Sequence, residues 1–428
     1  MRNKIILISL ILTFKTVILE PLKIHFKQKP QNSDSNTFEK FKFYNIYTDI
    51  SIGTPPQTIE TKLTMEYSPF VIKSKEIEGK YNENESSTFS KSKSYIIDFY
   101  LQLFKQGYYS TDLMKMTKLN GKELNVNVSY ILATKLEYKR NLSYGQIGLK
   151  MEDISIVRDQ LFISNLKKKD YINSYSFFFE FKNDDEGDII IGEYPDQYDK
   201  NYNKKYYHNT KKPDTNGNWK FSFDNITWNN QAFNLIKDVK ILIDLGIIEG
   251  TRKYREYLEE NYLNISKCER FLYTKDSLFY YTCPSSLDIS KFPPLKFYSK
   301  DLNFTFVLDH NDLFVKDNNK YLFLITFGNY NADHWVLGRL FLKKYKLIFD
   351  IDKKTIGFYS DNLSNKKKGN AIVWIFVFVL GIIILSLIYL VYKKSILLQR
   401  KKRANEIFDE YDYTPQINEV DDKFGINS

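Results

Sequence analysis

The chain contains 428 residues, of which 43% are hydrophobic and 16% aromatic, and it carries a formal net charge of +10. Such a length exceeds what one hydrophobic core usually organises, so two lobes are expected in the soluble part. The basic residues alternate with acidic and aromatic residues and form no continuous stripe, which argues against a protein that binds nucleic acid.

The N-terminus has the layout of a secretory signal. Arg2 and Lys4 precede an apolar run from Ile5 to Phe14, which is the order of the charged and hydrophobic regions in such signals. Lys15 interrupts the run, and no clear small-residue cleavage site follows it. We predict a signal peptide over residues 1–19, and an ordinary N-terminal strand is the alternative.

Two segments far apart in the chain have the same build. The turn from Gly53 to Gln57 leads into an apolar run from Lys62 to Ile72 that carries Thr64. The apolar run from Ile241 to Ile248 instead carries a carboxylate, Asp244, into a glycine turn. One chemistry in particular uses two strand-end carboxylates, because two close aspartates cannot both ionise and therefore share a proton. This chain has one of the two acids.

The rest of the soluble part has the pattern of many short strands. The runs from Ser94 to Leu101 and from Ser174 to Phe181 are aromatic or β-branched, and Asn, Asp, Gly and Lys separate such runs. This composition favours strands joined by turns, so an all-β fold is predicted. Helical periodicity is rare here, and the segment from Arg252 to Leu263 is the best candidate.

The two cysteines, Cys268 and Cys283, lie close in sequence. Both are predicted to lie in the oxidising lumen of the secretory pathway, where disulfides form and persist. A disulfide closing this short loop would contribute roughly 3 kcal/mol in the chain-entropy model. We predict the disulfide, and two free buried thiols are the alternative.

An apolar segment without charges runs from Ala371 to Tyr392. As a helix of about 1.5 Å per residue it reaches ~33 Å, enough for the ~30 Å hydrocarbon core of a bilayer. Basic residues are more numerous after this segment than before it, which predicts a type I topology with a cytoplasmic C-terminus. They are Lys366, Lys367 and Lys368 before it, and Lys393, Lys394, Arg400, Lys401, Lys402 and Arg403 after it.

The N-glycosylation sequons agree with this orientation. All of them precede the apolar segment, as a luminal ectodomain requires. Several would arise by chance in an Asn-rich chain, so they support the topology without deciding it. They begin at Asn84, Asn127, Asn141, Asn225, Asn264, Asn303 and Asn362.

The order and spacing of these segments resemble the pepsin-like aspartic proteases over residues 44–361. The turn from Gly53 to Gln57 is similar to the family's Ile-Gly-Thr-Pro-Pro-Gln motif, and counting on from it places Thr64 at the first catalytic aspartate. Asp244 corresponds to the second. The closest stretch runs from His334 to Leu342. The resemblance implies a bilobal fold with a peptide-binding cleft and an aspartic-type endopeptidase ancestry.

The resemblance also assigns residues away from the two strand ends. Tyr100, followed by Gly107, has the spacing of the family's flap and is the expected flap tyrosine. Cys283 resembles a cysteine of the family's second-lobe disulfide. Residues 20–29 resemble the first strand of the family's inhibitory propeptide, although the stretch is too short for a complete one.

Several family positions are altered in ways that oppose catalysis. Thr64 can donate and accept a hydrogen bond, but at neutral or acidic pH it cannot hold the shared proton or act as a base. Glu66 is the one nearby acid that could substitute, although it stands at a glycine position, where a longer side chain should reshape the turn. Val71 replaces the usual tryptophan, and Arg339 replaces the acid of the family's Leu-Gly-Asp.

The sequence therefore predicts a single-pass type I membrane protein of the secretory pathway or cell surface, with impaired or absent proteolysis and a cleft that binds peptide or protein. An active, divergent membrane-anchored endopeptidase is the alternative, and a structural glycoprotein is a third. Neither a metal nor a cofactor is expected, because the four histidines lack metal-ligand spacing. The predicted segments are the signal peptide 1–19, a propeptide-like segment and linker 20–43, the N-terminal lobe 44–205, the C-terminal lobe 206–362, a linker 363–370, the transmembrane helix 371–392 and the cytoplasmic tail 393–428.

Overall fold

The computed structural model describes most of the chain, in segments. They cover residues 19–29, 38, 45–97, 104–136, 144–151, 161–183, 185–210, 217–233, 238–274, 277–328, 334–360 and 368–410. In the last segment, side chains are described for residues 381–403. The chain forms two compact units, Met1–Asp361 and Asn362–Ser428.

The first unit is built mostly of short strands. In its N-terminal half the described strands are β1 (Leu22–Lys29), β2 (Asn45–Ile52), β3 (Gln57–Thr64), β4 (Phe70–Lys73), β5 (Ser90–Ile97), β6 (Gln106–Lys118), β7 (Glu123–Lys135), β8 (Gly145–Gly148), β9 (Ser176–Phe181) and β10 (Glu186–Ile191). In its C-terminal half they are β11 (Tyr207–Asn209), β12 (Lys220–Ser222), β13 (Asn225–Trp228), β14 (Gln231–Ala232), β15 (Asp238–Ile241), β16 (Ile248–Gly250), β17 (Glu269–Tyr273), β18 (Leu278–Pro284), β19 (Leu295–Ser299), β20 (Phe304–Leu308), β21 (Phe314–Asp317), β22 (Lys320–Gly328), β23 (Val336–Leu337), β24 (Ile348–Asp350) and β25 (Thr355–Tyr359). Short helices interrupt them: α1 (Phe162–Lys168), α2 (Arg252–Leu258), α3 (His310–Leu313) and α4 (Arg339–Lys344).

Residue alternation explains why these segments are strands. In β1, Leu22, Ile24 and Phe26 are buried, while His25 and Lys27 are exposed. This two-residue period is that of a strand with one face on the core. The neighbouring β10 buries both of its faces along its run of isoleucines. The predicted all-β, bilobal fold is confirmed.

Among the described residues, the strands form three sheets. The largest runs in the order β11-β25-β24-β9-β10-β1-β2-β3-β8-β4-β7-β6-β5. The second contains β12-β15-β23-β16-β22-β18-β17, with β21 paired to β22, and the third contains β14-β13-β19-β20. Because β11, β24 and β25 join the strands of the N-terminal half, the largest sheet connects the two halves of the unit.

One parallel strand pair in each half presents a segment singled out in the sequence. β3 pairs in parallel with β8, so that Thr64 lies opposite Gly148. β15 pairs in parallel with β23, so that Ile241 lies opposite Leu337, shortly before Asp244. The two segments therefore have equivalent places in the two halves.

The segment after β16 contains the predicted helix and the predicted disulfide. α2 continues into a π-helical turn, Glu259–Leu263, and Thr251 caps its first turn by accepting a hydrogen bond from the Tyr254 amide. Cys268 and Cys283 are bonded, with an S–S distance of 2.07 Å. Both predictions are confirmed.

The second unit contains one long described helix, α5 (Lys368–Glu410). Within it, Gly381–Arg403 is long and apolar enough to cross a membrane. Large apolar side chains from Ile382 to Tyr392 are exposed, as a lipid-facing segment requires. The predicted span 371–392 overlaps this helix, whereas the predicted signal 1–19 lies almost wholly outside the described residues.

Candidate active site

The two equivalent strand ends meet at Asp244. The Met65 amide donates a hydrogen bond of 2.9 Å to Asp244 Oδ2, so the turn after β3 lies directly against the carboxylate. Thr64 is fully buried. Its hydroxyl oxygen accepts a hydrogen bond of 3.1 Å from the Glu66 amide, which ties the hydroxyl to its own turn.

A glycine allows close backbone approach at each strand end. A Cβ on Gly148 would lie 2.4 Å from the carbonyl carbon of Ser68, and one on Gly338 would lie 2.2 Å from the carbonyl oxygen of Leu245. Such distances exclude any side chain at either position unless the backbone moves. The turn that holds Thr64 and the turn that holds Asp244 are thus fixed by the same device.

A lysine pairs with Asp244. Lys62 Nζ lies 3.5 Å from Asp244 Oδ1, and their side chains are 24% and 10% exposed. Within the described part of the chain, Oδ1 is buried without a hydrogen-bond partner, so the ammonium is its compensating contact. Lys62 was not predicted as a site residue. A signal was present, because it precedes Thr64 by two residues and therefore lies on the same face of β3.

The Glu66 carboxyl interacts electrostatically with Asp244. The pKa of the Glu66 carboxyl lies above its usual value, first because surrounding atoms partly desolvate it and second because the Asp244 charge repels its own. The charges of Lys62 and Lys240 oppose this rise. The Glu66 side chain as a whole is still exposed, unlike that of Thr64. Two acids and two lysines thus interact at this point.

Arg339 supports the second strand end from within the core. Its side chain is 2% exposed, and Nη1 donates a hydrogen bond of 3.0 Å to the Ile243 carbonyl. Its amide donates to the Leu245 carbonyl at 2.7 Å. Arg339 therefore binds the backbone on both sides of Asp244.

A residue of the predicted linker also packs near this site. Phe38 is 3% exposed and stacks on Tyr280, with ring centroids 3.9 Å apart. It shares a hydrophobic cluster with Ile247, Leu245 and Leu340. Sequence reasoning assigned no contact to this residue, because nothing local signals where a linker packs.

The remaining predicted positions are placed as follows. Val71 is buried against Phe104 and Ile131. The predicted flap tyrosine, Tyr100, lies outside the described residues. Among the residues that the structure describes, no group of three or more His, Cys, Asp or Glu side chains is placed to hold a metal ion.

The chain resembles known proteins over most of its length. A family model, eukaryotic aspartyl protease, matches residues 45–360. A beta-secretase of Strongylocentrotus purpuratus is 23% identical over 147 residues, which are 33% of this chain and 27% of that relative. The match thus spans about a quarter of the relative's length.

Proposed function

The chain belongs to the eukaryotic aspartyl protease family, and we propose that it is a membrane-anchored member with impaired or absent proteolysis that binds peptide or protein in its interlobe cleft. The observation that carries this proposal is the set of contacts at Asp244. Its two oxygens contact the Met65 amide and the Lys62 ammonium, and the opposing strand ends in Thr64.

The family's chemistry needs a like-charge neighbour for Asp244. In an aspartate pair, repulsion keeps one carboxyl protonated, so that one acid activates water while the other protonates the carbonyl. Thr64 cannot share that proton, and Lys62 is a cation. Loss of one general acid or base lowers the rate on the order of 10²- to 10⁴-fold.

Peptide binding depends on different parts of the site. It uses the cleft walls and backbone groups, whereas hydrolysis needs the dyad itself. At Gly148 and Gly338 the backbone passes close to the neighbouring turn, which holds the two turns in place without a second carboxylate. A cleft that retains its frame can therefore hold an extended chain that it does not cut.

We place the ectodomain on the luminal or extracellular side, anchored by α5 as a single-pass type I protein. Of the five sequon asparagines that the structure describes, four are exposed, as glycosylation requires: Asn84, Asn127, Asn264 and Asn303. Asn225 lies half-buried in β13 and is a poorer acceptor. The signal peptide and the lobe boundary between residues 205 and 206 belong to the same proposal.

An active, divergent endopeptidase is the second candidate. The observation that favours it is the raised pKa of Glu66, which arises in part from the Asp244 charge. Two carboxyls that repel each other are the starting condition of a proton-sharing pair. In this candidate Glu66 takes the role of the missing aspartate.

The deciding experiment is digestion of denatured haemoglobin at acid pH by the full-length chain in detergent, with Asp244→Asn and Glu66→Gln as variants. We expect no digestion and no effect of a pepstatin-type inhibitor. Digestion that Asp244→Asn abolishes would overturn the proposal. If Glu66→Gln abolishes it as well, the second candidate is correct.

A further inference from the structure

Three strands of the largest sheet diverge around an open gap. β1 pairs with β6 at its first two residues and with β2 at its last three. β2 pairs with β6 at its own last two residues. On this side of β1, no described strand pairs with the residues from Ile24 to Phe26. The topology itself, and not a loop, therefore builds the opening.

The lining of this gap, which we call the basic gap, combines four lysines with the apolar residues Ile24, Ile50, Met114 and Met116. The gap has a volume of about 310 Å³, at the lower end of small-molecule sites. Alternate residues of β1 point to the same face, so the strand contributes several cations at once. The lysines of the lining are Lys23, Lys27, Lys29 and Lys115.

Two of these cations are already compensated. Lys29 is paired with Glu60, and Lys115 lies 2.7 Å from Glu123. Lys23 and Lys27 form no ion pair with any other described residue. Asp49 is the acid of the lining. The basic gap therefore retains positive charge after its internal pairs are formed.

The other groups of the lining suit a polar ring. Tyr47 lies opposite Lys27 in the β1–β2 ladder, and Thr117 lies opposite Lys23 in the β1–β6 ladder. A tyrosine supplies an apolar face with a polar tip, and threonine hydroxyls donate and accept hydrogen bonds. An aromatic face, hydroxyls and two uncompensated ammonium groups thus surround one cavity.

We propose that the basic gap binds a small sugar that carries sulfate or phosphate esters. Lys23 and Lys27 bind the ester oxygens through charge-assisted hydrogen bonds. The ring packs on Tyr47, and Thr117 binds one of its hydroxyl groups. The site lies on β1, β2 and β6 and is independent of Asp244 and of the fate of proteolysis.

The test is calorimetric titration of the full-length chain in detergent with sucrose octasulfate and with inositol hexakisphosphate. We compare Lys23→Gln/Lys27→Gln with Lys204→Gln/Lys205→Gln, a pair of exposed lysines outside the gap that removes the same charge. The gap variant should bind about tenfold more weakly, and the control variant should change by less than about twofold. Thermal unfolding of each variant checks that it folds.

Three outcomes would overturn the proposal. Equal losses in the two variants would mean that diffuse surface charge attracts the probes. Binding to vesicles that contain phosphatidylinositol phosphates, without binding of either soluble probe, would assign the basic gap to a lipid surface instead. Absence of binding to every probe would leave the gap without an anionic ligand and would also refute it.

Discussion

The strand end at Thr64 and the strand end at Asp244 share a frame and differ in the group that the frame presents. Each follows a parallel strand pair, and at each a glycine permits a close backbone crossing, Gly148 in one and Gly338 in the other. One end presents a hydroxyl that its own turn occupies, and the other presents a carboxylate that Lys62 compensates. The close backbone approach at each end therefore does not depend on a carboxylate.

The largest expected effect comes from replacing the two glycines, Gly148 and Gly338, that permit the close backbone approach. Gly148→Ala and Gly338→Ala each place a Cβ within 2.4 Å of backbone atoms, so the two turns must move. We expect each to lower the free energy of unfolding by about 3 kcal/mol or more, measured by chemical denaturation. Unequal effects, with one substitution tolerated, would break the equivalence of the two ends.

A matched control separates crowding from the loss of a glycine as such. A Cβ on Gly121 would meet nothing within 4 Å, but its φ of +88° lies in the left-handed region. Asparagine tolerates that region better than other residues. Gly121→Asn should therefore change stability by less than about 1 kcal/mol.

The second expected effect comes from Lys62. Lys62→Met leaves Asp244 largely buried without its cation, which should lower stability by about 1–3 kcal/mol, below the range of fully buried pairs because the lysine is 24% exposed. Asp244→Asn in the same chain should recover part of the loss, since no charge then remains to compensate. A double-mutant cycle measures the coupling. Additive effects would show that the ion pair contributes nothing.

The local features of the fold could be anticipated from the sequence, whereas the contacts between distant segments could not. The turn from Gly53 to Gln57, the strand that ends at Thr64 and the short loop between Cys268 and Cys283 are local patterns, so fold and disulfide were predictable. The contacts of Asp244 with Lys62 and of Phe38 with Tyr280 join distant parts of the chain. The two-residue period of β3 places Lys62 on the face of Thr64, but no local pattern indicates the partner in either contact, because both contacts form only when the two halves pack.

The third prediction restores the missing acid without restoring the pair. In Thr64→Asp, the new carboxylate enters a site where Lys62 already binds Asp244 and where the Glu66 carboxyl lies close enough to Asp244 to be repelled by its charge. We expect haemoglobin digestion at acid pH to stay near background. The triple variant Thr64→Asp/Lys62→Val/Glu66→Gly should exceed the single variant. If the single variant alone is strongly active, the surrounding changes do not matter and the first aspartate was the whole difference between the two ends.

The smallest expected effect is that of Glu66→Gln on stability. It tests whether Glu66 is electrostatically coupled to Asp244. Because folding raises its pKa, the folded chain binds the proton more tightly than the unfolded chain. The protonated Glu66 carboxyl therefore favours the folded state fully below the ordinary glutamate pKa of about 4.3. This contribution is lost as the pH rises through the pKa of Glu66 in the folded chain. Glu66→Gln should therefore stabilise the chain near neutral pH and have no such effect in acid.

The size of the Glu66→Gln effect and its control variant follow from the exposure of Glu66 and from its interaction with Asp244. Glu66 is exposed, so the gain should stay well under about 1 kcal/mol. Denaturation curves at several pH values measure it, and Glu66→Gln in an Asp244→Asn background is the control. Since the Asp244 charge is the second cause of the raised pKa, after desolvation, the gain should shrink in that background. A gain of equal size would mean that desolvation alone acts on Glu66, and the carboxyl would then have no electrostatic link to the retained acid.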